Sequence, residues 1–262
     1  MKQSRIEQLG DELYEAMRSQ KPVAPLTERE TDITIDDAYL ISLRMLKRRL
    51  DEDGERVIGK KIGVTSDAVQ KMLNVHQPDF GFLTDAMEYA DGAEVPIVGH
   101  LIRPRAEAEI GFRLKKDLVG PGVTEADVLD ATDYIVPCFE IVDSRIRDWK
   151  IKIEDTVADN ASCGVFVQSK QQADPRQYDL SRLKITVWKN DAVISEGFGS
   201  AVQGNPLTAV AWLANTLGKY DIPFKAGELI LSGSLVPLED VTPGDRMRLE
   251  LEGIGAASVN FV

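Results

Sequence analysis

Glu107 and Glu109 stand two residues apart in the segment RAEAEIGF, and Glu140 follows in YIVPCFEIVDSR. On a β-strand, side chains two apart point to the same face, so both carboxylates share one face and Ala106, Ala108 and Ile110 occupy the other. Glu140 lies among Val136, Cys138, Ile141 and Val142. A glutamate in such an apolar strand needs a reason, because a buried, unpaired carboxylate is costly unless it stays protonated. Three together repel one another unless something positive sits among them. A hard divalent cation meets that need, and all-oxygen ligation suits magnesium, manganese or calcium rather than zinc. Three protein ligands leave about three of six octahedral positions for substrate and water. Two other readings stay open on these residues alone: pairing with Arg103, Arg105 or Arg145, or a strand that faces solvent.

The 262 residues that carry this group are 43% hydrophobic and 6% aromatic, an ordinary globular balance with room for one sizeable core or a main domain with a small attached one. No apolar run reaches the roughly 18–20 residues that span a bilayer. The N-terminal MKQSRIEQLGDELYEAM is charged and amphipathic and lacks the apolar centre of a signal peptide. A soluble, cytoplasmic protein with no membrane partner is expected. The net charge of -12, from 31 basic and 43 acidic residues, disfavours nucleic acid as a partner. An anionic small substrate is still allowed, because a metal inverts the local field. Cys138 and Cys163 match no zinc or disulfide pattern and read as buried, reduced thiols.

The elements that must position the glutamates follow from periodicity. Ile6, Leu9, Leu13 and Met17 predict a first helix. Thr34, with Asp37 three residues on, predicts the start of a second, which carries Tyr39, Leu43, Leu46 and Leu50 on one face and stops at Gly54. These helices predict a small N-terminal region over residues 1–55, before a main domain over 56–262. From Val57 the texture changes to a short strand in VIGKKIGV and a capped helix from Ser66 through Leu73. After the turn-rich QPDFG, strands are expected at 94–102, 106–115, 134–142, 183–188, 192–198, 228–232 and 246–251. Thr124 with Asp127 caps a short helix. Asn205, then Pro206, open a longer one that runs to Gly218. Strand–helix alternation of the doubly wound kind is missing, so a mixed α/β fold with a curled β-roll or sandwich core and a few covering helices is expected.

Several segments carry a resemblance that spans nearly the whole chain: GKKIGVTSDAVQKML at 59–73, NVHQPDFGFLTDAM at 74–87, RPRAEAEIGF at 103–112, VPCFEIVDSRIRDWK at 136–150, DTVADNASCG at 155–164 and LSGSLVPLE at 231–239. Together they resemble the fumarylacetoacetate hydrolase superfamily and, within it, the 2-oxopent-4-enoate (2-hydroxypenta-2,4-dienoate) hydratases of aromatic meta-cleavage pathways. The resemblance implies a mixed β-roll core and a Mg²⁺ or Mn²⁺ ion on Glu107, Glu109 and Glu140. It further implies Lys61 and Asp79 poised at a small 2-oxo or 2-hydroxydienoate substrate. A homo-oligomer and a physical association with 4-oxalocrotonate decarboxylase are implied as well. C–C bond hydrolases of this fold usually carry a catalytic lysine shortly after the third ligand and a His–Glu lid pair. Here that stretch reads VADNASCG, and His76 and His100 form no such pair. Sister decarboxylases share the triad and the lysine. They typically have an apolar residue where this chain has Asp79, and a serine-poor version of SGSLVP.

Residue by residue, Lys61 lies between glycines in GKKIG, where a partly buried ammonium fits and where burial and a nearby metal would each lower its pKa. Its neighbour Lys60 reads as a surface lysine. Asp79 follows Pro78 in a turn, where it serves either as a plain turn residue or as a group that orients water or relays a proton. Ser162 in DNASCG, and Ser234 with Leu235 in SGSL, are the candidate substrate contacts, with Ser234 preferred to Ser232. Phe80 and Phe82 are weaker candidates for the substrate's tail. His76 reads as a local hydrogen-bonding residue and His100 as an exposed one.

Overall fold

The computed structural model describes residues 1–66, 70–71 and 75–262. The helix expected from Ser66 through Leu73 runs through 67–69 and 72–74, which lie outside the described residues. The chain opens with α1 (Gln3–Ser19), the single turn α2 (Leu26–Arg29) and α3 (Ile35–Glu52). Ile6, Leu9 and Leu13 of α1 are buried against α3. The expected cap of α3 is present, with Asp37 N–H donating to Thr34 Oγ1 at 3.1 Å and Thr34 N–H to Asp37 Oδ2 at 3.1 Å. These helices join the main core rather than forming one of their own. Their buried faces belong to the same apolar cluster as Val259 and Phe261, and Arg49 of α3 reaches Thr84 Oγ1 at 3.0 Å.

Thirteen strands follow among the described residues: β1 (Val57–Gly63), β2 (Asp79–Thr84), β3 (Glu88–Ala90), β4 (Glu94–Val95), β5 (Arg105–Leu114), β6 (Thr132–Val142), β7 (Cys163–Gln168), β8 (Lys184–Lys189), β9 (Ala192–Phe198), β10 (Leu229–Ser234), β11 (Glu239–Asp240), β12 (Arg246–Leu251) and β13 (Gly255–Phe261). Helices α4 (Glu125–Ala131), α5 (Ile153–Ala158) and α6 (Pro206–Gly218) complete the chain, with Asn205 Oδ1 capping α6 through Leu207 N–H. One sheet runs β2-β1-β10-β5-β6-β7-β3, with β11 added to the end of β5, and the second runs β4-β13-β12-β8-β9.

The first sheet has two unlike faces. Ala106, Ala108, Ile110 and Phe112 of β5, with Phe139 and Ile141 of β6, face the main core between the sheets. Cys138 and Val136 of β6, Leu229 and Leu231 of β10, Phe166 of β7 and Leu83 of β2 form a second, smaller cluster. Leu83 and Phe166 come from strands near opposite ends of the sheet order, so the sheet is rolled and this cluster fills its inside. The seam of the roll is held by Asn160, whose side chain pairs with both backbone groups of Phe82 in edge strand β2, accepting from N–H at 2.8 Å and donating to C=O at 3.0 Å. A side-chain amide thus does the work of a missing neighbouring strand.

The expected strand at 94–102 shrinks to Glu94–Val95, because Pro96 follows at once and the chain turns at 98–100. Conversely, β2 begins inside the segment read as a turn, and β7 and β13 are strands that the pattern did not announce. Asn160 approaches β2 so closely that a Cβ on Gly81 would overlap its carbonyl oxygen. Gly81→Ala should therefore destabilise the protein by about 1–3 kcal/mol, the usual cost of overpacking. A lower urea midpoint with an unchanged slope is the expected readout.

Candidate metal centre

Cross-strand registers bring the candidate residues together. Glu107 of β5 lies directly opposite Glu140 of β6, and Glu109 pairs with Cys138 on one side and Ser234 on the other. Gly111 pairs with Leu231, Leu231 with Lys61, and Lys61 with Gly81. Residues directly opposite in a sheet share a face, so Lys61 and the three glutamates all point into the roll. The next pair along, Gly63 with Asp79, puts Asp79 on that face too. Behind this charged end lies the inner apolar cluster.

One carboxylate oxygen from each of Glu107, Glu109 and Glu140 lies within 4.8 Å of the other two. Glu109 and Glu140 are fully buried, and Glu107 is half-buried. Glu109 Oε2 accepts the Gly233 N–H at 2.8 Å, while its Oε1 is buried with no partner. Glu140 Oε1 is approached by Lys61 Nζ at 3.3 Å and by the Cys163 thiol at 3.3 Å, while its Oε2 has no partner. Gly233 supplies its N–H from a bulge in β10, where its φ of +110° suits a glycine and where a Cβ would strike Thr65.

Electrostatics show what this interior lacks. Four carboxyl groups, those of Asp79 and the three glutamates, face one ammonium. Burial and then Glu140 push Glu107 up to about 7. Burial, followed by Glu140 and Glu107, drives Glu109 well above the usual carboxylate range. Glu140 is also raised by burial, against the pull of Lys61. Of the arginines that kept the alternative reading open, Arg103 is exposed and the other two are engaged elsewhere. Arg105 pairs with Asp240 at 2.8 Å, and Arg145 holds Asp159 and the carbonyls of Asp143 and Cys163. Among the described residues, Lys61 is the one cation in contact with the triad. Two orphaned oxygens, an all-oxygen donor set and uncompensated negative charge fit a hard divalent cation.

Lys61 is only 2% exposed, and both its Nζ and Asp79 Oδ1 lie directly over Gly63. Its pKa is not lowered as burial alone would dictate, since Glu140, Asp79 and Glu107 outweigh burial and raise it. Asp79 is no turn residue. It opens β2, is buried, has an Oδ1 without a partner, and is raised by burial against the effect of Lys61. Lys60 is likewise not a surface lysine: it faces the main core, pairs with Glu228 at 2.5 Å and sits over Phe224.

The serines are placed less directly. Ser234 shares the Glu109 face, but its hydroxyl donates to the Val236 carbonyl at 2.7 Å. Ser162 Oγ lies 3.2 Å from Thr156 Oγ1 and 3.4 Å from Asp159 Oδ2. Leu235 is buried and extends the β10–β5 pairing through its N–H to Ala108. Ser232 is buried with an unpartnered hydroxyl. Phe80 and Phe82 face the main core, away from the triad, with Phe80 stacked on Tyr39 at 4.2 Å. His100 is exposed, with Nε2 3.1 Å from Tyr89 Oη, and His76 is exposed as well. Sequence reasoning missed Cys163, Asn160 and Gly233 as contributors. The first two stand in DNASCG, where Cys163 reads only as a buried thiol, and the third in SGSL, where the side chains of Ser234 and Leu235 draw the attention.

Residues 59–262 match the fumarylacetoacetate (FAA) hydrolase C-terminal family. The chain is 63% identical over 257 residues to a 2-hydroxyhexa-2,4-dienoate hydratase of Comamonas testosteroni, covering 98% of this chain and 97% of that one. It is 63% identical over 222 residues to a 2-hydroxypent-2,4-dienoate hydratase of Pseudomonas putida, covering 85% and 100%. The 4-oxalocrotonate decarboxylase from Pseudomonas putida G7, solved with magnesium and adipate, superposes with a TM-score of 0.96 at 33% identity, covering 100% of this chain and 99% of that one. The chain belongs to the fumarylacetoacetate hydrolase family.

If the triad holds a divalent cation, adding Mg²⁺ at 100 times its Kd should stabilise the fold by about 2.7 kcal/mol. Glu109→Gln should lose that shift and, having no buried carboxyl that must be either charged or protonated, should unfold at a higher temperature than the parent when both are metal-free. Scanning calorimetry in chelator and in Mg²⁺ checks both signs.

Proposed function

We propose that this chain is a metal-dependent hydro-lyase that hydrates 2-hydroxypenta-2,4-dienoate to 4-hydroxy-2-oxopentanoate. The observation that carries this reading is the convergence of Lys61 and Asp79 with the glutamate triad on one inner face. The 63% identity to two proteins named as dienoate hydratases supports it over the decarboxylase, at 33%.

Glu107, Glu109 and Glu140 would hold Mg²⁺ or Mn²⁺, which supplies Lewis-acid polarisation of the 2-oxygen and a counter-charge for the C1 carboxylate. The protein then has protons to move. The dienol gains one at C5 as its 2-hydroxyl gives one up, leaving the 2-oxo-3-ene; water then adds at C4, and the proton it loses is matched by one gained at C3. We assign the donor role to Lys61, whose pKa its carboxylate neighbours raise, and the role of taking a proton from the attacking water to Asp79, whose Oδ1 has no partner. The apolar interior behind the triad keeps bulk water from the polarised substrate. Ser162, Ser234 and Leu235 border this region in sequence and register, and we assign them to substrate positioning. No helix among the described residues is long and apolar enough to cross a membrane, and we assign the enzyme to the cytoplasm as a homo-oligomer able to associate with a 4-oxalocrotonate decarboxylase.

Freshly generated dienol, with Mg²⁺ or Mn²⁺ present, should lose its ultraviolet absorbance and yield 4-hydroxy-2-oxopentanoate. Asp79→Asn should lower kcat by roughly 10²–10⁴-fold with a smaller change in KM, as expected for a lost proton carrier. An unchanged rate in Glu107→Gln and Glu140→Gln sinks the metal reading. CO₂ released from 2-oxohex-3-enedioate by the isolated chain would instead favour decarboxylation.

A further inference from the structure

Cys163 takes no part in the proton transfers above, yet its thiol is buried against a proposed metal ligand. It opens β7 beside Val142 of β6, and its Sγ lies 3.3 Å from Glu140 Oε1. Lys61 Nζ reaches the same oxygen at 3.3 Å. Two donors therefore converge on Oε1, and the carboxylate is left with Oε2 buried and unpartnered. Glu109 is divided in the same way, with Oε2 on the Gly233 N–H and Oε1 free. Each fully buried glutamate thus has one oxygen tied to the protein and one left over.

The segment before Cys163 shows that its placement is enforced. Asn160, Ala161 and Ser162 take φ values of 53°, 50° and 52°, three successive left-handed residues of which none is glycine. Such backbone persists only where its surroundings over-determine it. Here Asn160 is clamped to Phe82, Asp159 to Arg145, and the Ser162 carbonyl accepts the Asp143 N–H at 2.8 Å. Arg145 Nη1 also holds the Cys163 carbonyl at 2.7 Å. The strained turn delivers the thiol to Glu140.

We propose that Cys163 is a positioning residue for the metal: its S–H, with Lys61, holds Glu140 Oε1 so that Oε2 alone is presented to the cation. Single-oxygen ligation of this kind suits a small octahedral ion better than calcium, which readily takes bidentate carboxylates. The inference rests on the triad being a metal site and concerns how one ligand is oriented within it.

The test is Mn²⁺ binding to metal-free protein without substrate, followed by the electron paramagnetic resonance signal of free Mn²⁺. Loss of an outer-shell hydrogen bond commonly costs about 10–100-fold in metal affinity. Cys163→Ala should weaken binding by about that factor, whereas Cys163→Ser, which keeps a donor at the same place, should stay within roughly threefold of the parent. Thermal unfolding of the metal-free variants accompanies the titration. If the alanine variant does not fold, Cys163→Val supplies a donor-free side chain that fills the site, and the serine–valine difference decides. Equal affinities in parent and donor-free variants overturn the proposal, and so does a serine variant as weak as the donor-free one. A parent that binds no Mn²⁺ overturns the metal reading itself, a result distinguishable from either.

Discussion

A carboxylate withdrawn from water needs a counter-charge, a set of donors or a proton, and this fold withdraws several at one place. Glu107, Glu109, Glu140 and Asp79 share the inside of the roll with the single ammonium of Lys61, whose close contact is with Glu140. Burial comes first among the causes that raise all four carboxyl groups, and mutual repulsion adds to it for the glutamates of β5. The interior is not at rest until a cation enters or protons do. The same imbalance makes it a strong site for a doubly charged ion, because charges interact far more strongly there than at the surface.

The register that creates the imbalance also builds the main core. Glu107 faces Glu140 only when Ala106 pairs with Ile141 and Ala108 with Phe139. A slip of one residue would turn the carboxylates into the apolar layer between the sheets and the alanines into the roll. Hydrophobic burial across the whole β5–β6 pair therefore specifies the ligand geometry, and no local device is needed to keep the glutamates apart from their alternative positions. The glycine bulge in β10 and the left-handed turn at 160–162 then refine the arrangement by adding a donor to one oxygen of Glu109 and to one of Glu140.

Much of this was legible in the sequence because it follows from a period of two. The E-x-E spacing, the apolar residues between and the third glutamate in a second apolar strand all state which face is which. The helices were legible from their caps, as Thr34 and Asn205 show. What escaped depends on contacts between segments distant in the chain. Asp79 looks like a turn residue because Pro78 precedes it and Gly81 follows, yet pairing with β1 draws it into a strand. Lys61 reads as partly buried and Lys60 as exposed, and only the pairing of β1 with β10 shows that both are buried, on opposite faces with different partners. Cys163 matched no metal motif, and its contact with the site is a hydrogen bond to Glu140 that spacing in the sequence does not announce.

The distribution of the chemistry over the sheet also explains how one framework can serve more than one reaction. The three glutamates lie on β5 and β6, in the middle of the strand order, where a change would disturb both neighbours. Lys61 lies two strands out from β5, on β1, and Asp79 lies on β2, the edge. An edge strand pairs on one side only, so its residues can vary at less cost to the sheet. In this chain the other side of β2 is tied by the Asn160 amide, which fixes Asp79 without requiring a further strand. On the function proposed above, a central acidic cluster with the proton carrier at the edge is the arrangement expected if ligand binding is held constant while the bond made or broken changes. The near-identical fold of a decarboxylase at 33% identity is consistent with that division.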